Sequence, residues 1–264
     1  MNYLFIHQNF PGQFKNLAPR LVETGNTITA LTMRRDIPEN WAGVKIAPYS
    51  VGSVSSKELR PWLSNLESQT IRGEACFKAA MRLKNAGYIP DKIIAHPGWG
   101  ESLFLKEVWP DSKLGIYCEF YYGTNDQDIG FDKEFLEFSA DVGCKIALKN
   151  VNNLLHFNIA DAGLSPTYWQ ASTFPSQFRN KIAVVHDGID TEIVKPDLSA
   201  SITLSNRKIL SKRDEIVTFI NRNLEPYRGY HIFMRALPKL LRDRPNARFI
   251  LVGEDGVSYG AKPD

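Results

Sequence analysis

Thr218-Phe-Ile-Asn-Arg-Asn-Leu-Glu-Pro-Tyr-Arg-Gly229, a helix-periodic run to Arg244, and Arg248-Phe-Ile-Leu-Val-Gly253 together decide the fold. They read as a strand, a basic turn, a helix and a second strand, the opening unit of an α/β domain. Such a unit buries one face and leaves the rest needing neighbours. Upstream the same alternation recurs. Strands are predicted over 2–7, 26–33, 44–47, 91–95, 114–118, 162–165 and 182–185. Helices fall over 13–23, 56–86 with a break near Pro61, a short stretch ending at Val108, and most of 132–160. Pro19 inside the first helical pattern predicts a kink or a late start. Alternating strands and helices argue for parallel sheets in a doubly wound α/β fold, whose ligands bind beyond the carboxyl ends of the strands. The polar stretch 196–213 lacks periodicity and reads as a linker between a first domain, 1–195, and a second that opens over 214–264.

Composition narrows the class. Of 264 residues, 43% are apolar and 23% charged, ordinary for a globular protein. A net charge of +3 permits an anionic substrate or an acidic membrane surface and demands neither. No long single-sign run suggests nucleic acid as a partner. Cys76, Cys118 and Cys144 are too few and too widely spaced for a disulfide framework or a zinc site, which favours a reducing compartment. Met1-Asn-Tyr-Leu-Phe-Ile-His7 has no basic leader. No apolar run approaches the roughly 20 residues of a membrane helix. The expectation is a cytoplasmic protein whose membrane contact, if any, is peripheral on the inner face.

The informative residues lie at predicted strand ends. His7-Gln-Asn-Phe-Pro-Gly12 joins a strand to a helix start, where free N–H groups favour an anion, and Gly12 permits close backbone approach; the plainer reading is a simple turn. The dinucleotide glycine fingerprint is missing, and Arg34-Arg35 stands where a ribose-binding acid would be. His96-Pro-Gly-Trp-Gly-Glu101 offers a base or sugar-hydroxyl ligand in His96, a carboxylate in Glu101 and an apolar platform in Trp99; a strand-end cap and core filling are the alternatives. Glu119-Phe-Tyr-Tyr-Gly123 sets a carboxylate beside three aromatics, which suits carbohydrate and equally suits a buried hydrogen-bond network. Asp126 and Asp128 lack a third metal ligand nearby and read as solvated, so no metal site is expected. His186-Asp187-Gly188-Ile-Asp190 reads as an Asx-type turn with Gly188 at positive φ, placed to line an interdomain cleft. Arg222 and Arg228 flank the carboxyl end of a strand with donors that match phosphate oxygens; a surface pair with Glu225 is the alternative.

Taken together, these motifs resemble the retaining glycosyltransferases of family 4, which have the GT-B fold. Asn221-Arg-Asn-Leu-Glu-Pro-Tyr-Arg-Gly229 is similar to the family's basic donor-site motif, with Asn-Arg and Arg-Gly where Gly-Arg and Lys-Gly are commoner. His186-Asp-Gly-Ile-Asp-Thr191 resembles its interdomain turn. His7-Gln-Asn-Phe-Pro-Gly-Gln-Phe14, His96-Pro-Gly-Trp-Gly-Glu101, Glu119-Phe-Tyr-Tyr122 and Ser165-Pro-Thr-Tyr-Trp-Gln170 are similar to a bacterial subgroup. The resemblance implies two Rossmann-like domains with a nucleotide-diphosphate sugar in the cleft between them. It implies transfer to a glycan or lipid-linked acceptor with retention, in bacterial polysaccharide biosynthesis, without an obligatory metal or cofactor. Arg222, Arg228 and backbone near Gly12 would face the diphosphate, His96 and Glu101 the acceptor, and Glu119 either substrate. The family's pair of donor-binding glutamates falls beyond Gly253 and is not among these residues, so the resemblance implies a chain cut within its second domain and inactive alone. Two other readings remain open. One is a non-catalytic half that binds a glycan or partner protein; separately, the bare edge of the half-built second sheet permits a homodimer. The other is an NADP-dependent enzyme, suggested only by Arg34-Arg35.

Overall fold

The computed structural model describes residues 1–56, 58–124, 127, 130, 132–135 and 141–258. Asp126 and Asp128 lie outside the described residues. Two compact units form: Met1–Phe131 with Leu136–Gly188, and Asp132–Phe135 with Ile189–Asp264.

The first unit runs β1 (Asn2–Ile6), α1 (Leu17–Glu23), β2 (Thr27–Thr32), β3 (Asn40–Trp41), β4 (Val44–Pro48), α2 (Ser64–Asn85), β5 (Lys92–Ala95) and α3 (Leu105–Val108). It continues with β6 (Lys113–Tyr117), α4 (Val142–Lys149), α5 (Val151–Ile159), β7 (Ala162–Ser165), α6 (Tyr168–Thr173), α7 (Ser176–Arg179) and β8 (Ile182–Val184). The strands form one sheet in the order β3-β4-β2-β1-β5-β6-β7-β8. Only β3 is antiparallel to its neighbour. From β1 the chain winds outward through β2 to β4, returns to the other side of β1 as β5, and winds outward again to β8. The reversal falls between β1 and β5, where open α/β sheets leave a crevice at their carboxyl ends.

Why the sheet is covered on both faces follows from β1. Leu4, Phe5 and Ile6 are all fully buried, and successive side chains point to opposite faces. Phe5 packs with Phe10, Phe14, Ala18, Ile28 and Ala30. Leu4 and Ile6 pack with Cys76, Ala80, Ile93, Leu105 and Phe157. Each such side chain contributes about 1.5–3 kcal/mol of burial. Pro19 does not kink a long helix. It sits in the first turn of α1, which starts late at Leu17, and Gly12–Phe14 forms a separate 3-10 turn.

The second unit holds an antiparallel pair, β9 (Ser201–Thr203) and β10 (Ile209–Ser211). It also holds β11 (Ile216–Asn223), α8 (Tyr230–Asp243) and β12 (Arg248–Glu254), with β11 parallel to β12. This is the strand–helix–strand unit expected from 218–252. Phe219 of β11 contacts Tyr230 and Phe233 of α8, while Ile220 and Val252, in register across the two strands, are exposed. The stretch 196–213 is not a featureless linker: β9 and β10 form within it. Their strands are three residues each and mostly exposed, too short for a pattern to be read from.

Candidate functional site

Three loops converge at the reversal point of the first unit. His7 is the first residue after β1, His96 the first after β5, and Glu119 lies two residues past β6. Both histidines are buried. Each has its Nδ1 fixed as an acceptor by the backbone N–H two residues on, from Asn9 at 3.0 Å and from Gly98 at 3.3 Å. With Nδ1 accepting, Nε2 carries the proton in both rings. His7 Nε2–H donates to Gln13 Oε1 at 2.7 Å, and His96 Nε2–H to Glu119 Oε2 at 3.0 Å. The rings lie 5.3 Å apart, and His96 stacks between Trp99 at 4.5 Å and Tyr117 at 5.5 Å. Burial, reinforced by the neighbouring His96, lowers the His7 pKa to about 4. The hydrogen bond from His96 holds Glu119 below the usual carboxylate range, although its side chain is 48% exposed. The result is an ionised, half-exposed carboxylate backed by a buried imidazole pair.

Gly12 has a different role from the one its loop suggests. The helix after it starts only at Leu17, so Gly12 heads a 3-10 turn rather than an α-helix. It holds φ +47°, and a Cβ there would overlap the His7 imidazole. Its side-chain-free surface receives the ring that Gln13 then hydrogen-bonds.

Glu101 is not placed toward an acceptor. It is fully buried, and among the described residues its carboxyl oxygens make no well-formed hydrogen bond. Gly100 adopts φ +94° against the backbone of Gln69, so tightly that no Cβ fits, and this turns the next residue inward. Burial pushes the Glu101 pKa up to about 7, with its own backbone N–H, the Arg72 charge and the nearby Tyr49 hydroxyl acting more weakly in the opposite direction. It is a buried group beneath the 96–101 turn.

Residues the sequence did not single out hold this arrangement. Asn152 Nδ2 donates to the Pro97 carbonyl at 2.8 Å. Asn150 exchanges bonds with both backbone groups of Tyr122, at 3.1 and 2.8 Å, and Asn153 reaches the Phe120 carbonyl at 3.4 Å. Asparagine is a poor helix former, so three of them at the start of α5 were a legible signal of side-chain duty. Beside them, His156 donates from Nδ1 to the Asn152 carbonyl and accepts from Ser102 Oγ, both at 2.7 Å. Ser102 and His156 are fully buried, so this pair fastens α5 to the loop and reaches no substrate.

The 186–190 turn forms as expected. His186 Nδ1 accepts from the Gly188 N–H at 3.1 Å, and Gly188 is at φ +83°. Tyr117 Oη lies 3.0 and 2.9 Å from the two Asp187 carboxylate oxygens, and Asn16 Nδ2 is 3.5 Å from the carbonyls of Asp187 and Gly188. In the second unit, Asp190 accepts from the N–H groups of Glu192 and Ile193. Arg222 is exposed on β11. Arg228 closes the 3-10 turn Pro226–Arg228, 3.5 Å from the buried Glu225, which also takes the Ser258 N–H at 2.7 Å. The Glu225 pairing is thus present, and it orients the half-exposed Arg228.

Two further positions bear on competing chemistry. Arg34 is engaged by Asp36 at 2.9 and 2.7 Å and by the Phe10 carbonyl at 3.2 Å, so it braces the loop instead of presenting a 2′-phosphate site. Asp132, Glu134 and His231 bring three potential metal-ligand atoms within 4.8 Å of one another. Arg235 already pairs with both Glu134 oxygens, and His231 Nε2 lies 3.0 Å from Asp132. No helix among the described residues is long and apolar enough to cross a membrane.

The fold is that of a Rossmann-like α/β protein of the GT-B class. The chain belongs to the glycosyl transferase family 4 group, whose profile matches residues 24–194. Among solved structures it is similar to the catalytic domain of starch synthase IV from Arabidopsis thaliana bound to ADP and acarbose. That match has 13% identity and a TM-score of 0.59, and covers 96% of this chain and 68% of that one. It is also similar to S. aureus MnaA with UDP, at 14% identity and a TM-score of 0.51, covering 97% and 62%. The chain spans 62–69% of the length of such structures. A search of curated proteins found no match.

Proposed function

We propose that the protein serves in moving a sugar from a nucleotide-diphosphate donor to a glycan or lipid-linked acceptor, with retention and without an obligatory metal. The observation that carries this reading is the His96–Glu119 pair at the strand-order reversal, in a chain of this family. An ionised carboxylate with one oxygen tied to an imidazole N–H can offer its other lone pairs to sugar hydroxyls. Glu119 orients an acceptor or donor hydroxyl, and His96 keeps Glu119 ionised and fixed in position. The second unit supplies cations: Arg222 and Arg228 offset the charge that develops on the departing diphosphate. Glu225 holds the Arg228 fork in a set direction, as a buried acceptor does for a phosphate-binding arginine. On this reading the transfer serves bacterial polysaccharide assembly on the cytoplasmic side.

The test is a calorimetric titration of the 264-residue chain with UDP, ADP and GDP, repeated with Arg222→Ala and Arg228→Ala. At least one nucleotide should bind and lose about tenfold or more in affinity in each variant, the equivalent of one charge-assisted hydrogen bond. No binding of all three, or binding indifferent to both arginines, overturns the reading.

A further inference from the structure

The Ser165-Pro-Thr-Tyr-Trp-Gln170 motif has no part in the site described above, yet it produces an unusual surface. Tyr168 and Trp169 open α6, and they are 82% and 59% exposed. The Trp169 ring lies 5.6 Å from Phe120 in a tilted pair, and Phe120 lies 5.4 Å from Tyr122. Phe120 directly follows Glu119, so the aromatic surface begins where the exposed carboxylate ends.

This surface is rigid where side chains alone would leave it loose. The Tyr121 N–H donates to Thr173 Oγ1 at 3.0 Å. Asn150 grips both backbone groups of Tyr122, and Asn153 the carbonyl of Phe120. The other edge is capped by Thr167, which accepts from the Gln170 N–H at 3.1 Å and donates to Gln170 Oε1 at 2.8 Å. Lys149 lies over the Tyr122 ring at 3.4 Å, covering that face, while the exposed Trp169 and the half-buried Phe120 lie beside each other.

From this juxtaposition we infer that Phe120 and Trp169 form a stacking platform for a sugar ring of a saccharide acceptor, with Glu119 receiving a hydroxyl of the same or the adjoining residue. The inference rests on the transferase reading for the word acceptor; the platform itself rests on the geometry. Sugar rings have apolar C–H faces and polar rims, and the surface offers apolar faces beside a carboxylate. An anionic lipid surface is a poorer match, because Glu119 is ionised at the platform's edge. A neutral polyol matches it in charge.

The experiment is saturation-transfer NMR on the 264-residue chain with maltohexaose, cellohexaose and N-acetylchitohexaose, in wild type, Trp169→Ala and Trp169→Phe. Trp169 is exposed, so both variants should fold, and their melting curves check this. At least one saccharide should receive saturation at its ring C–H protons. Trp169→Ala should weaken its binding about tenfold, and Trp169→Phe, which restores a flat ring, should recover most of it. Absence of transfer to all three saccharides overturns the inference, as does binding unchanged in Trp169→Ala. Trp169-dependent flotation with 1:1 phosphatidylcholine:phosphatidylglycerol vesicles would reassign the surface to a membrane. Trp169-dependent dimerisation in sedimentation would reassign it to a second copy of the chain. UDP, ADP and GDP titrations of the wild type separate the two readings. Nucleotide binding without saccharide binding defeats the platform alone, and the converse defeats the donor assignment alone.

Discussion

Tyr117 reaches from the end of β6 to hold Asp187, with its hydroxyl 3.0 and 2.9 Å from the two carboxylate oxygens. Its ring stacks on His96. One side chain therefore touches both the centre of the site and the last residues of the first unit, which ends at Gly188.

Tyr117→Phe keeps the stack on His96 and removes the tie to Asp187. The loss should be about 0.5–1.5 kcal/mol of stability, as for an ordinary hydrogen bond. Amide exchange at 187–188 should accelerate while exchange in β1 and β5 stays unchanged. Equal acceleration in all three places would show that Tyr117 supports the core generally and not this turn.

Gly12→Ala tests whether His7 needs the space above Gly12. The added methyl meets the imidazole, and φ +47° is unfavourable for alanine. Denaturant unfolding should show a loss of about 1–3 kcal/mol. The His7 ring resonances should move, because its bond to Gln13 cannot survive in place. A variant as stable as wild type with an unshifted His7 would refute the packing argument.

The buried histidines predict acid sensitivity. His7 and His156 are both lowered from 6.5 to about 4 in the folded protein. Between those values the unfolded chain binds protons that the folded chain does not. Stability from each ring is therefore complete above pH 6.5 and is lost as pH falls toward 4, by up to about 3 kcal/mol per ring. Imidazole titration by NMR should find both rings neutral at pH 5; a midpoint near 6.5 for either would contradict the burial.

Glu101 has the opposite sign. Its folded pKa of about 7 lies above the ordinary 4.5, so its contribution is complete below 4.5 and is lost as pH rises to 7. Glu101→Gln removes that loss. Relative to wild type it should gain stability steadily from pH 4.5 to 7, reaching about 3 kcal/mol at most. A pH-independent difference between the two proteins would mean that Glu101 is ionised or solvated in the fold.

Much of the architecture was legible because the chain announces it locally. The apolar β1 run, the late start forced by Pro19 and the strand–helix–strand unit from β11 to β12 all follow from residues read in order. The arrangement of the site was not legible, because it depends on strand order. His7 and His96 are 89 residues apart in sequence and 5.3 Å apart in space only because β1 pairs with β5. No local pattern in either strand specifies that neighbour. Glu101 misled for a related reason. In sequence it reads with His96 as facing an acceptor, but it follows the left-handed Gly100 and is fully buried, which the local sequence does not reveal. For Arg228, the three-residue spacing to Glu225 did signal their contact.

The way His7, His96 and His186 receive a backbone N–H at Nδ1 has a consequence for experiment and for divergence. In each, the residue two positions on supplies the donor, which is the geometry an asparagine carbonyl oxygen satisfies in an Asx turn. His7→Asn and His96→Asn should thus preserve the strand-to-loop corner while deleting the Nε2 proton that faces Gln13 or Glu119. Shape and proton donation, fused in one ring, become separable with a single substitution. A relative carrying asparagine at either place would retain the scaffold while having given up that donor.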